Sequence, residues 1–103
     1  MTVPTSPEGL TEHLVDRIAE AVRTHPSVVR LEGGEFGVLA THFPGGRIVG
    51  VRVGEGGAPV EVAVVLRLDR ALPEVIEELR TRVIGVAGQV PVDVTVTDVL
   101  TET

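Results

Sequence analysis

The change of hydrophobic period between residues 60 and 99 constrains this chain more than any other feature. Val60, Val62, Val64, Leu66 and Leu68 alternate with Glu61, Ala63, Val65 and Arg67, the two-residue period of a half-buried strand. Leu72, Ile76, Leu79, Val83 and Val86 then recur at steps of three and four, which is one stripe of a helix. Alternation resumes where Val90, Val92, Val94 and Val96 are set against Asp93, Thr95 and Thr97. Strand, helix and strand in that order require a sheet covered by helices on at least one face.

The helical stretch has its own punctuation. Pro73 stands near its start, Glu74, Glu77 and Glu78 come early, and Arg80 and Arg82 come late, an order that suits the helix dipole. Glu78 and Arg82 are spaced for an i,i+4 ion pair, and Gly85 and Gly88 loosen and end the helix. Upstream, Ser6-Pro7-Glu8 reads as a helix start. Leu10, Leu14, Ile18, Ala21 and Val22 form its apolar stripe, and it ends before Pro26. Val28 to Leu31 is a short strand closed by Gly33-Gly34, and Gly37 to Phe43 is a short strand or an ordered loop. After the Pro44-Gly45-Gly46 turn, Arg47 to Val53 is expected to form an antiparallel hairpin with the strand that begins at Val60.

These elements predict an α+β fold in the order α-β-(β)-β-β-α-β. Two helices pack on one face of a small three- to four-stranded mixed sheet, and the other sheet face is left open. Residues 6–100 form this single domain, and residues 1–5, with Pro4 and no periodic pattern, form a flexible arm. A chain of 103 residues can bury about two-thirds of the surface it exposes when unfolded, so the core needs no staples.

Composition excludes several functions. There is no Cys, so disulfides and thiolate metal sites are ruled out and nothing points to an oxidising compartment; the expected location is cytoplasmic. The net charge of -6 opposes binding to nucleic acid, and Phe36 and Phe43 are the only aromatic residues available to stack on bases. All nine basic residues are Arg, a bias consistent with codon supply. No segment approaches the roughly 20 apolar residues of a membrane span, and the first residues lack a signal-peptide pattern. Direct membrane insertion is therefore not expected.

Candidate chemistry is sparse. His13 and His25 read as surface histidines, while His42, beside Phe43 and the glycine turn, is the imidazole worth testing as a ligand with Glu32 or Glu35. Glu32 and Glu35 otherwise read as solvated turn carboxylates. Gly34-Glu35-Phe36-Gly37 has the GxxG form of an RNA-clamping loop but follows a strand and carries a glutamate that would repel phosphate. Pro44-Gly45-Gly46-Arg47 could make an anion nest, although a hairpin turn followed by an exposed Arg explains it more simply. Ser6 and Ser27 lack a nucleophile elbow. No catalytic residue, cofactor or metal is assigned.

The assembled pattern resembles the alkaline shock protein family, also described as the general stress or envelope stress response family of bacteria. The resemblance runs from Thr11 to Val99. It is carried by the first helix leading into Val28-Val29-Arg30-Leu31 and Gly33-Gly34, by Gly46 to Val53, by Val60 to Leu68, by Leu72-Pro73-Glu74-Val75 and by Val92 to Val99. It is nearest to the short, actinobacterial-type members with a Pro-Gly-Gly-Arg turn. Two departures are visible: Asp69-Arg70-Ala71 replaces the aromatic often found ahead of the second helix, and that helix ends early, at Gly85 to Gly88. The resemblance implies a non-enzymatic cytoplasmic scaffold in envelope homeostasis or stress, held at the membrane through a separate anchor protein.

Two surfaces are candidates for protein contact. One is the open sheet face, with Val65 and Arg67 (beside Ala63) next to Thr95, Asp93 and Thr97; the other is the charged strip Glu74, Glu77, Glu78 and Arg82 of the second helix. A protein partner, membrane-anchored in the family reading, and homo-oligomerisation are the expected interactions. The opposing reading is a small-ligand-binding domain or a small enzyme.

Overall fold

A computed structural model describes residues 7–33, 39–44, 46–54 and 56–101. The expected arm of residues 1–5, the Ser6 cap, Glu35 with the Gly34–Gly37 quartet, and the Gly45 position of the turn lie outside the described residues. The element order is α1 (Pro7–Arg23), β1 (Val28–Leu31), β2 (Ala40–Phe43), β3 (Gly46–Val49), β4 (Val51–Arg52), β5 (Val60–Arg67), α2 (Leu72–Ala87) and β6 (Val92–Leu100). This is the expected α+β arrangement, and the uncertain segment ending at Phe43 supplies strand β2.

β5 is the organising strand. One edge pairs in parallel with β6 over its whole length, Val60 opposite Val92 through to Arg67 opposite Leu100. Its other edge pairs antiparallel with β1 at Val64 to Leu66 and with β4 at Glu61 and Val62. β1 and β4 therefore lie end to end along the same edge, so the sheet is mixed. The parallel β5–β6 pair is joined through α2, the crossover that parallel strands require.

The antiparallel hairpin expected from residues 47–53 and 60–68 is corrected in one respect. Arg47 to Val53 is not one strand: β3 pairs with β2 in a separate two-stranded sheet, and only β4 reaches β5. Gly50 makes the break. It has φ +86, and a Cβ there would lie 2.9 Å from Leu31 Cβ and 3.0 Å from both the Ala63 carbonyl oxygen and the Glu32 nitrogen. Only glycine tolerates this combination of left-handed backbone and close approach. Ala63 donates its N–H to the Gly50 carbonyl and accepts the Glu32 N–H on its own carbonyl, at 2.8 and 2.9 Å. The chain leaves the edge of β5, forms the β2–β3 hairpin and returns to the same residue.

The core lies between the sheet and both helices. Val60, Val62, Val64 and Leu66 of β5 meet Val15, Ile18, Ala19 and Val22 of α1 and Val75, Leu79 and Val83 of α2, with Val28, Val51 and Val92 at the margins. The expected stripes hold at Ile18, Val22, Leu79 and Val83, with Leu14, Leu72 and Val86 packed against the core, and each is widened on one side. Val15 and Ala19 enter the core of α1 while Ala21 is only half-buried, and Val75 rather than Ile76 is fully buried in α2. The helix continues through Gly85 to Ala87, where the Gly88 N–H closes it on the Ile84 carbonyl at 2.8 Å. β6 absorbs one extra residue at Thr97, since Val64 pairs with Val96 but Val65 with Asp98. The bulge turns Val99 to the side of Leu66.

Candidate functional site

The most concentrated polar chemistry lies where the α1–β1 turn meets the β5–α2 turn. Antiparallel pairing of Val28 with Leu66 puts these two junctions at the same end of the sheet. His25, expected at the surface, is instead only 3% exposed, and Ser27 only 1%. The backbone turns after Arg23, where the His25 carbonyl accepts the Val28 N–H at 3.0 Å, and the ring is then held against α2 by Glu78, 53 residues away in sequence.

The contacts fix the state of the ring. The Ser27 backbone N–H donates to His25 Nδ1 at 3.0 Å, so Nδ1 offers a lone pair, and the proton sits on Nε2, which donates to Glu78 Oε1 at 2.8 Å. Glu78 also receives both terminal nitrogens of the Arg70 guanidinium, at 2.8 and 2.5 Å. These donors, the Arg70 fork first and His25 second, hold the Glu78 carboxyl at about 2, well below its ordinary value. Ser27 Oγ donates to Asp69 Oδ1 at 2.8 Å, and Arg67 Nη1 donates to the Pro26 carbonyl at 2.8 Å. On the neighbouring turn of α2, Arg82 donates to the Ala21 carbonyl at 3.0 Å and to Thr24 Oγ1 at 3.3 Å. It thereby satisfies a carbonyl left over at the end of α1.

This cluster contains Ser, His and Asp, but it is not arranged for nucleophilic attack. The Ser27 hydroxyl is directed at Asp69, and both His25 nitrogens are occupied by Ser27 N–H and Glu78, so no base is free to take the serine proton. Among the described residues no buried side-chain nitrogen or oxygen lacks a partner, and no three His, Asp or Glu side chains gather in metal-binding geometry. His42 stands exposed on β2 opposite Arg47. Glu32 accepts a hydrogen bond from Thr97 Oγ1 at 3.1 Å and lies 3.7 Å from Arg30. The contacts of the His25 cluster join two helices and two turns.

The two candidate surfaces fare differently. Val65 is 0% exposed and Ala63 is 3% exposed, so the expectation that they present themselves to a partner on that face is corrected. In register, Val65 is flanked by Arg30 and Asp98 and Ala63 by Thr95, long or polar side chains on both sides of a narrow apolar strip. Arg67 is half-buried and bonded to Pro26, whereas Thr95 is exposed. On α2, Glu78 and Arg82 do not pair with each other as expected; each is drawn to a different part of the α1 end. Glu74 and Glu77 remain outward, Glu74 lying 3.7 Å from Arg70 and Glu77 paired with Arg80. Glu77, Glu78, Thr81 and Arg82 do come together, lining a shallow groove of about 370 Å³.

The charge strip on α2 was legible in the sequence; the His25 cluster was not. Its signal lay in the topology: Thr24 to Ser27 and Asp69-Arg70 are both polar junctions, and pairing Val28–Leu31 against Val60–Leu68 brings them together. Besides these groups, Leu68 and Leu100 are 52% and 39% exposed at the end of β5 and β6, where the Leu68 N–H donates to the Leu100 carbonyl at 2.8 Å. No helix among the described residues is long and apolar enough to cross a membrane. Comparison of the chain with protein-family models, with curated proteins and with solved structures returned no match.

Proposed function

We propose that this chain is a non-enzymatic interaction module of the alkaline shock type, acting in bacterial envelope homeostasis or stress response through contacts with another protein. The observation that carries this reading is the closure of the polar cluster around the buried His25 and Ser27. His25, Ser27, Asp69, Arg70 and Glu78 satisfy one another and leave no buried group directed at a substrate, whereas a catalytic site keeps a polar group open to its reactant. In this reading the protein works in the cytoplasm and reaches the membrane only through an anchored partner. The contact surface is the outward side of α2 at Glu74 and Glu77; the exposed Thr95, on the sheet face away from the helices, would belong to a second, separate surface.

Affinity capture from native lysate, with and without detergent, tests the proposal. Recovery of a membrane-anchored protein whose capture is lost on Glu74→Arg/Glu77→Arg substitution is the expected result. Recovery of soluble protein alone with a stoichiometric bound metabolite would instead favour a small-ligand-binding domain, with the groove at Glu77, Glu78, Thr81 and Arg82 as the place to look.

A further inference from the structure

β6 pairs with β5 along one edge, and among the described residues its other edge has no strand partner. The direction of each backbone group follows from the ladder. The Pro91 carbonyl accepts the Val60 N–H at 2.9 Å and the Leu100 carbonyl accepts the Leu68 N–H at 2.8 Å, so both carbonyls face β5. Alternation along the strand, with the extra residue absorbed at Thr97, turns the N–H and C=O groups of Val92, Val94, Val96 and Val99 outward. A strand of nine residues with no Pro or Lys inside it, presenting such a row, is a template for a strand from another chain.

Both ends of that row are already engaged. The Val92 carbonyl accepts the Arg80 Nε of α2 at 3.1 Å, and Arg80 is itself paired with Glu77. The Val99 N–H donates to Asp98 Oδ1 at 2.8 Å. Between them the bulge at Thr97 breaks the even spacing that a long ladder needs. Only the outward groups of Val94 and Val96 remain as a regular pair, which is too short a ladder to hold an added strand.

We propose that Arg80 and Asp98, with the bulge at Thr97, close the β6 edge against strand addition by a second copy of this chain. The inference goes beyond the interaction-module reading and does not depend on it. It means that any self-association of the native protein proceeds through side chains rather than through a continuous sheet.

The test is sedimentation equilibrium with amide exchange on the full chain. In the native protein the Val94 and Val96 amides, which face outward, should exchange at least about tenfold faster than those of Val62 and Val64, which face β6 within the ladder. In Arg80→Ala/Asp98→Ala the chain should associate as concentration rises, with Val94 and Val96 gaining about tenfold protection. Adding Val94→Pro removes an outward N–H and no ladder bond, and should return the variant to the native sedimentation profile. The proposal is overturned if the folded double variant sediments and exchanges like the native chain, if its association survives Val94→Pro, or if Val94 and Val96 are already protected in a native oligomer. Should the double variant not fold, the exposed single change Asp98→Ala carries the same comparison.

Discussion

His25 Nε2 lies 2.8 Å from Glu78 Oε1 across a sequence separation of 53 residues, joining the turn after α1 to the middle of α2. The link is more than one bond, because the same ring receives the Ser27 N–H and the same carboxylate receives Arg70. His25→Ala would leave the buried Ser27 N–H without an acceptor and open a cavity. A loss of about 3 kcal/mol in urea unfolding is expected. Ser27→Ala removes only the hydroxyl bond to Asp69, whose carboxylate can turn to water, and should cost about 1 kcal/mol. Equal losses in the two variants would contradict this account of the cluster.

Glu78 gives the protein an acid limb. Its carboxyl is held at about 2 in the folded chain, below the ordinary 4.5, so the folded state favours the ionised form. The associated stability is present above pH 4.5 and is lost as pH falls toward about 2. Glu78→Gln should therefore flatten the dependence of stability on pH in that window, measured as unfolding midpoints at a series of pH values. A variant whose midpoints track the native curve through the window would refute the assignment.

Val65→Glu is expected to unfold the protein or lower its stability by several kcal/mol, since a carboxylate would replace an apolar side chain with no exposure to water. Val65→Ala should cost about 2 kcal/mol through lost burial and a residual cavity. Thermal melts followed by circular dichroism separate these values from the near-zero change that a surface position would give.

Gly50→Ala adds a steric clash to a left-handed backbone and should cost at least about 2 kcal/mol. Gly57 has a nearly identical φ of +85, but nothing lies within 4 Å of the point a Cβ would occupy there, so Gly57→Ala should cost only about 1 kcal/mol. The difference between the two variants measures the close approach to Leu31 and Ala63 by itself.

Periodic segments were the readable part of this fold. β1, β5, both helices and β6 followed from alternation or from helical stripes, because burial on one face imposes a period that one-dimensional inspection can see. Val65 misled the same reasoning. Alternation assigns it to the solvent side, but β5 is the central strand, paired along both edges, and Val65 is buried between its register neighbours Arg30 and Asp98; the unbroken apolar run of Val62 to Leu66 is the local sign of this. The split at Gly50 was hidden for a different reason: a glycine between Val49 and Val51 preserves alternation, and the requirement for it arises from Leu31 and Ala63, which are distant in sequence. His25 was misplaced because its burial depends on Glu78 and Arg70, groups that no local pattern connects to it.

The Gly50 junction has a further consequence for how this architecture can vary. The chain departs at Glu32 and returns at Gly50, and both are hydrogen-bonded to Ala63. The opening in the edge of β5 is thus only one residue wide. Whatever is spliced between those two points, whether a shorter link, a longer arm or a whole additional module, meets the same boundary condition and leaves the pairing of β1 and β4 untouched. The excursion is a port, at which relatives of this protein could differ in size while sharing one core.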